Sequence, residues 1–195
     1  MILTRYEGHD RRTSYPVAVD DLVAAFSHVP VTSGFLPENC LFWGRENGQT
    51  RIAIYVPSRR WRMQVDSANR GEARTYHIPM PPLVFVGSGN AYQIYAVKRR
   101  PRDEHEQLYH APCPNVHQYG GICWGNTPFP VCSSETIEAT LTLFIEGSYF
   151  NGDLSRGKCC RYPNDVRQLW AELEGKNRFP LSELVSCRRV LRDLL

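Results

Sequence analysis

The sequence predicts an α+β fold, and three observations carry that reading. Strand-like runs gather between residues 40 and 97, helical periodicities gather after residue 134, and a long irregular segment, 109–133, separates them. Segregation of strands and helices along a chain is the pattern of α+β domains. The expected order is an N-terminal helix, a four-stranded antiparallel meander, a long loop and C-terminal helices. One domain over 1–195 is expected, with 1–14 as an N-terminal extension and 134–195 as the helical part.

Each element has its own warrant. Residues 15–28, "YPVAVDDLVAAFSH", predict a short helix capped by Asp20 or Asp21, with Leu22, Val23, Ala25 and Phe26 partly buried. "CLFWGRENGQTRIAIYV" predicts a hairpin: Cys40 to Gly44 and Arg51 to Val56 flank the turn signal "ENGQ". A third strand is expected through "ARTYHI". "PPLVFVGSGNAYQIYAVK" predicts a second hairpin, Leu83 to Val86 and Tyr92 to Val97 around "GSGN". "KRRPRDEHEQ" is a charged loop. Pro112, Pro114, Pro128, Pro130, Gly120, Gly121 and Gly125 then keep 109–133 irregular, and long ordered loops of this kind tend to be functional. Beyond it, Ser134 is expected to cap a helix bearing Ile137, Leu141, Phe144 and Ile145. A second helix carries Val166, Leu169, Trp170 and Leu173 and stops at Gly175. A third is expected over "PLSELVSCRRVLRDLL", with Leu184, Cys187, Leu191 and Leu194 at helical spacing.

Bulk properties narrow the function. A net charge of +3 is too small to make nucleic acid the main partner. No apolar run approaches the roughly 18 residues of a membrane span. The opening "MILTRYEGHDRRT" does not read as a signal peptide. Seven cysteines, an odd number without secretory context, predict free thiols and a cytoplasmic setting.

The chemistry concentrates in "HAPCPNVHQYGGICWGN", residues 110–126. Zinc knuckles pair cysteines two to four residues apart. Here Cys113 and Cys123 are separated by nine residues and Cys159 and Cys160 are adjacent, so no metal site is expected. A nucleophilic cysteine with an asparagine donor fits better. A thiolate attacks acyl carbonyls, and the tetrahedral intermediate needs a hydrogen-bond donor aimed at its oxyanion. Asn115 stands eight positions before Cys123, with glycines between them that let the backbone turn.

At these residues the chain resembles the ubiquitin-conjugating enzymes. That family carries His-Pro-Asn, a turn glycine and then Ile-Cys, with the catalytic cysteine eight positions after the asparagine. Pro114, Asn115 and Val116 match the first part, Gly120 the turn, and Ile122-Cys123 the last. "PPLVF" at 81–85 resembles the strand that precedes the family's active site. "LYHAPCPNV", "GGICWGN" and "SYFNG" are similar to the prokaryotic family D branch, related to the PRTRC system B protein. The resemblance implies a ubiquitin-conjugating-like fold and a thioester carrier without a cofactor of its own. It implies as partners an ATP-dependent ThiF-like activating enzyme, a ubiquitin-like modifier and a JAB-type peptidase, in sets some of which serve antiphage defence.

The departures matter too. Cys113 replaces the family's loop-bracing histidine, so His110 is the expected substitute, with His117 a second candidate. Trp124-Gly125-Asn126 replaces the usual Leu-Asp. The family often places an acidic residue in the loop after the first downstream helix, where it helps deprotonate an incoming lysine; the resemblance implies Asp153, in "FNGDLS", for that role. The plainer roles are a buried thiol for Cys113, an Asx-turn for Asn115 and a solvated carboxylate for Asp153. "RRWR" and "KRRPR" read as solvated faces or as docking patches for an acidic partner. A non-catalytic binding module of the same fold and a thiol hydrolase are the alternative functions.

Overall fold

Antiparallel pairing of apolar strands organises the larger part of the chain. The structure, a computed structural model, describes residues 2–7, 11–27, 32–46, 48–65 and 73–195. The chain divides into two units, Met1–Ser33 and Gly34–Leu195. The first holds β1 (Ile2–Glu7) and β2 (Arg11–Pro16), an antiparallel hairpin in register Ile2 to Pro16, and helix α1 (Val19–Ser27). Asp20 and Asp21 lie in the first turn of α1, where carboxylates offset the helix dipole, not at its cap. His28, at the end of the expected helix, and Asn47, in the first turn signal, lie outside the described residues.

In the second unit β3 (Cys40–Glu46), β4 (Gln49–Val56), β5 (Arg59–Val65), β6 (Arg74–Met80), β7 (Leu83–Ser88), β8 (Ala91–Ala96) and β9 (Gln107–His110) precede the long loop. Helix α2 (Ile137–Thr142) continues into a wider π-helical turn, Leu143–Gly147, before β10 (Tyr149–Phe150), helix α3 (Arg167–Leu173) and β11 (Ser186–Val190). The main sheet has six antiparallel strands in the order β11-β9-β8-β7-β4-β3. A smaller sheet pairs β5 with β6 antiparallel and with β10 parallel. The meander is therefore larger than the four strands expected. "RRWR" is part of β5, with the Arg59 guanidinium 3.5 Å from the Trp61 ring centre.

Alternation along the central strands buries both faces of the main sheet. Ile52, Ile54, Leu83, Phe85, Tyr92 and Ile94 face one core, shared with Ile137, Leu141, Phe144, Leu169 and Trp170 from the helices. Ala53, Val84, Val86, Tyr95, Val97 and Leu108 face a second core, closed by Leu191 and Leu194. Ser134 does not cap α2: its N-cap is Thr136, which makes no side-chain cap bond, and Ser133 orders the turn that leads into it. The Ser133 hydroxyl, one residue before the predicted cap, accepts from the N–H groups of Glu135 and Thr136, each at 3.2 Å. Gly175, at φ +79°, follows the end of α3.

The third C-terminal helix does not form, which corrects the helical reading of 134–195. Residues 181–195 run as a 3₁₀ turn (Leu181–Glu183), β11, and a second 3₁₀ turn (Leu191–Leu194). The edge of β9 offers unpaired backbone groups, and β11 takes them, pairing Arg189 with Leu108 and Val190 with Gln107. Arg188 sits at φ +58° where the register of β11 shifts, so the leucine spacing is met by a bulged strand and a tight turn. Leu194, fully buried beneath this turn, is expected to contribute about 3 kcal/mol. Leu194→Ala should lower the urea midpoint at unchanged slope. An unmoved midpoint would mean that the second core does not need its C-terminal cover.

Candidate active site

Residues 115–123 form a tight hairpin. Val116 and Ile122 bridge antiparallel. The His117 N–H donates to Gly121 O at 2.8 Å, the Gly120 N–H to His117 O at 2.9 Å, and the Cys123 N–H to Asn115 O at 2.7 Å. The eight-residue step is thus a backbone register that sets Asn115 opposite Cys123. Two left-handed residues make it possible. Asn115, at φ +58°, is a residue type that tolerates this region. Gly120, at φ +86°, lies against the Tyr95 ring, which a Cβ would strike.

The hairpin is held on one side by β8. Ile94 N–H donates to Gly120 O at 2.9 Å and Ile122 N–H to Tyr92 O at 3.0 Å. The Tyr95 hydroxyl donates to Tyr119 O and accepts from Arg189 Nη1 at 2.7 Å, linking β11 to the hairpin. On the other side the chain after α2 closes over it. Asn115 N–H donates to Asp153 O at 2.8 Å, and Asn115 Nδ2 to Tyr149 O at 3.3 Å. Gln118 Nε2 reaches Arg156 O at 3.1 Å and Lys158 Nζ reaches His117 O at 3.3 Å. Trp170 Nε1, from α3, fixes Pro112 O at 2.8 Å. Pairing of β10 with β5 is what carries residues 149–153 to this place.

The predicted residues therefore converge, with different exposures. Cys123 is exposed, whereas Cys113 is buried among the core residues and burial pushes its thiol up to about 12. Pro114 is buried beside it. Asp153 is exposed; its carboxylate accepts from Asn151 Nδ2 at 2.8 Å while its carbonyl holds Asn115. The Arg167 guanidinium, fixed by Asp165, packs at Gly152 and lies in the field of Asp153. Asn115 Oδ1 is buried and finds no hydrogen-bond partner among the described residues. Trp124 stacks on Phe129, with ring centres 4.5 Å apart, and meets Tyr92 and Phe144 edge-on. It pins the chain directly after the thiol.

The brace differs from the one expected. His110 ends β9, its N–H bonded to Val185 O at 2.9 Å. Among the described residues no hydrogen bond joins its imidazole to the loop; burial, and then the Lys158 charge, pull it down to about 4. His117 stacks on Tyr119 at 5.1 Å. Lys158 and the Tyr95 hydroxyl both bond to carbonyls of the turn, and sequence reasoning missed them along with Arg189, which holds Tyr95. A lone lysine before Cys159-Cys160 was a weak signal for the first; nothing in the sequence marked the other two. Among the described residues no three of His, Cys, Asp and Glu gather as a metal site, and no helix is long and apolar enough to cross a membrane. Three of the four cations of "KRRPR" are engaged within the chain: Arg99 on Glu106 at 3.1 Å, Lys98 over Tyr109 and Arg100 over Tyr55.

Two outcomes follow from these environments. Brief alkylation of the native protein near pH 8, mapped by mass spectrometry, should label Cys123 and Cys160 and spare Cys113, Cys132 and Cys159; early labelling of Cys113 would contradict the buried thiol. His110 keeps its imidazole neutral in the fold, so on acidification the unfolded chain binds the proton first. Its contribution to stability is complete above its ordinary value of 6.5 and is lost as pH falls towards about 4. The slope of unfolding free energy against pH in that window should be shallower in His110→Gln; equal slopes would refute the burial.

A family model described as prokaryotic E2 family D matches residues 17–187. No curated protein and no solved structure matches the chain. The matched span takes in α1, strands β3 to β10, the 115–123 hairpin, α2, α3 and the first two residues of β11, and the chain belongs to the prokaryotic E2 family D.

Proposed function

We propose that this protein is a ubiquitin-conjugating-like carrier. It accepts the C-terminus of a ubiquitin-like modifier from an activating enzyme as a thioester on Cys123 and passes it to an amine. Family membership supports a conjugating role. The observation that carries the reading is the register of the hairpin: the exposed Cys123 is backbone-bonded to Asn115, and Asn115 is bonded to Asp153.

The steps follow from those positions. The Cys123 thiolate attacks the thioester carbonyl on the activating enzyme, a tetrahedral oxyanion forms, and the enzyme's thiolate leaves. An amine then attacks the new thioester, an amide forms, and Cys123 leaves as the thiolate. An amide nitrogen has two N–H groups, and only one of those on Asn115 Nδ2 is needed for Tyr149 O. The other is the donor for the oxyanion of the second step. The Asp153 carboxylate, exposed beside the hairpin, takes the proton of the attacking amine. ATP is consumed by the activating enzyme, so the carrier itself needs no cofactor. The natural setting is a bacterial conjugation system with a ThiF-like activating enzyme and a JAB-type peptidase, antiphage defence being one such setting.

The test is to combine protein, activating enzyme, modifier and ATP. A thiol-sensitive adduct should form, vanish in Cys123→Ala and become a thiol-resistant ester in Cys123→Ser. No adduct under any condition would favour a non-catalytic module that binds the modifier, and one surviving Cys123→Ala would move the nucleophile elsewhere. Asp153→Asn should load normally and discharge to free lysine about tenfold more slowly near neutral pH, recovering as pH rises. Unchanged discharge would leave Asp153 only its backbone role.

A further inference from the structure

Lys158 is fully buried, although lysine is almost never found so unless it has a partner. Among the described residues no carboxylate pairs with it. Burial pulls the Lys158 pKa below its ordinary value, the thiols of Cys113 and Cys187 oppose that shift, and its field reaches His110. Burial holds the first two thiols and the imidazole in their neutral forms, so none supplies an anion. The ammonium is directed instead at one backbone group, His117 O, at 3.3 Å.

That carbonyl lies at the turn of the hairpin. It also accepts the Gly120 N–H at 2.9 Å, while the N–H of the same residue holds Gly121 O. Fixing His117 therefore fixes both arms of the turn, and the arms end in Asn115 and Cys123. A buried cation without a counter-ion is a net cost to the fold in an apolar setting. Replacing it with an apolar side chain of similar length would relieve that cost, so its place here is poorly explained by stability.

We propose that Lys158 is a positioning residue of the thioester site, its buried ammonium holding the His117 carbonyl so that the 115–123 hairpin keeps Asn115 in register with Cys123. The catalytic part of this inference rests on the carrier reading; the mechanical part does not. Lys158 touches no reacting atom and acts through the backbone.

The test separates the two parts. In the free wild-type protein, nuclear magnetic resonance should detect slowly exchanging Lys158 Nζ protons and a coupling across the hydrogen bond to the His117 carbonyl carbon. A Lys158 signal averaged like those of surface lysines overturns the proposal, whatever any variant does. In Lys158→Met the melting temperature should hold or rise, while amide exchange at Gly120 and Cys123 quickens about tenfold, because a local opening is made easier. With loaded carrier, Lys158→Met should lower kcat for discharge to free lysine about tenfold and leave the KM for loading by the activating enzyme unchanged. Exchange and discharge equal to wild type would refute the proposal. If wild type forms no thioester, the carrier reading fails, and the resonance and exchange arms still decide what Lys158 does.

Discussion

The structure depends on one backbone hydrogen bond, from the Cys123 N–H to Asn115 O at 2.7 Å. A thiol that meets a large protein partner must be exposed, and an exposed side chain has few contacts of its own to fix it. The backbone beneath must therefore do the fixing. This chain closes a nine-residue hairpin, docks one arm on β8 and covers the other with residues 149–158. The sheets and helices can be read as the means of presenting that hairpin from both sides.

The site tolerates local features that a stability-driven core would not hold. Asn115 is left-handed and its carboxamide oxygen is buried without a partner among the described residues. Lys158 is a buried cation. Such departures from local rules concentrate at functional sites and persist where the surroundings over-determine them. Here the surroundings are the aromatic chain Tyr92, Trp124, Phe144, Phe150 and Trp170, each ring edge-on to the next. The last of these also anchors the loop through Pro112 O. Core packing and site geometry are thus joined at named side chains.

Much of this was legible in the sequence because it is local. The two hairpins announce themselves by turn residues between apolar runs, α2 and α3 by their spaced faces, and the site by the step from Asn115 to Cys123. What was not legible is long-range. Strand β11 carries leucines and a cysteine at helical spacing, and only the open edge of β9 draws it into the sheet. Strand β5 looked like a charged run because its arginines alternate with Trp61 and Met63, which face the core. Tyr95 reads as an ordinary apolar strand residue, yet its ring needs Gly120 and its hydroxyl joins Arg189 to Tyr119. Lys158 reads as a surface lysine because no local pattern shows that residues 149–170 fold over the loop. The loop's brace was sought in a histidine because the resembled pattern carries one where this chain has Cys113.

The central claim is that the register between Asn115 and Cys123 is catalytic as well as architectural. The most direct measurement is single-turnover discharge of the loaded carrier in Asn115→Gly, which keeps the left-handed backbone and removes only the carboxamide. The account predicts normal loading of Cys123 and discharge to lysine slowed about a hundredfold, the scale of one lost oxyanion donor. Discharge at the wild-type rate would contradict it and leave Asn115 a turn residue alone.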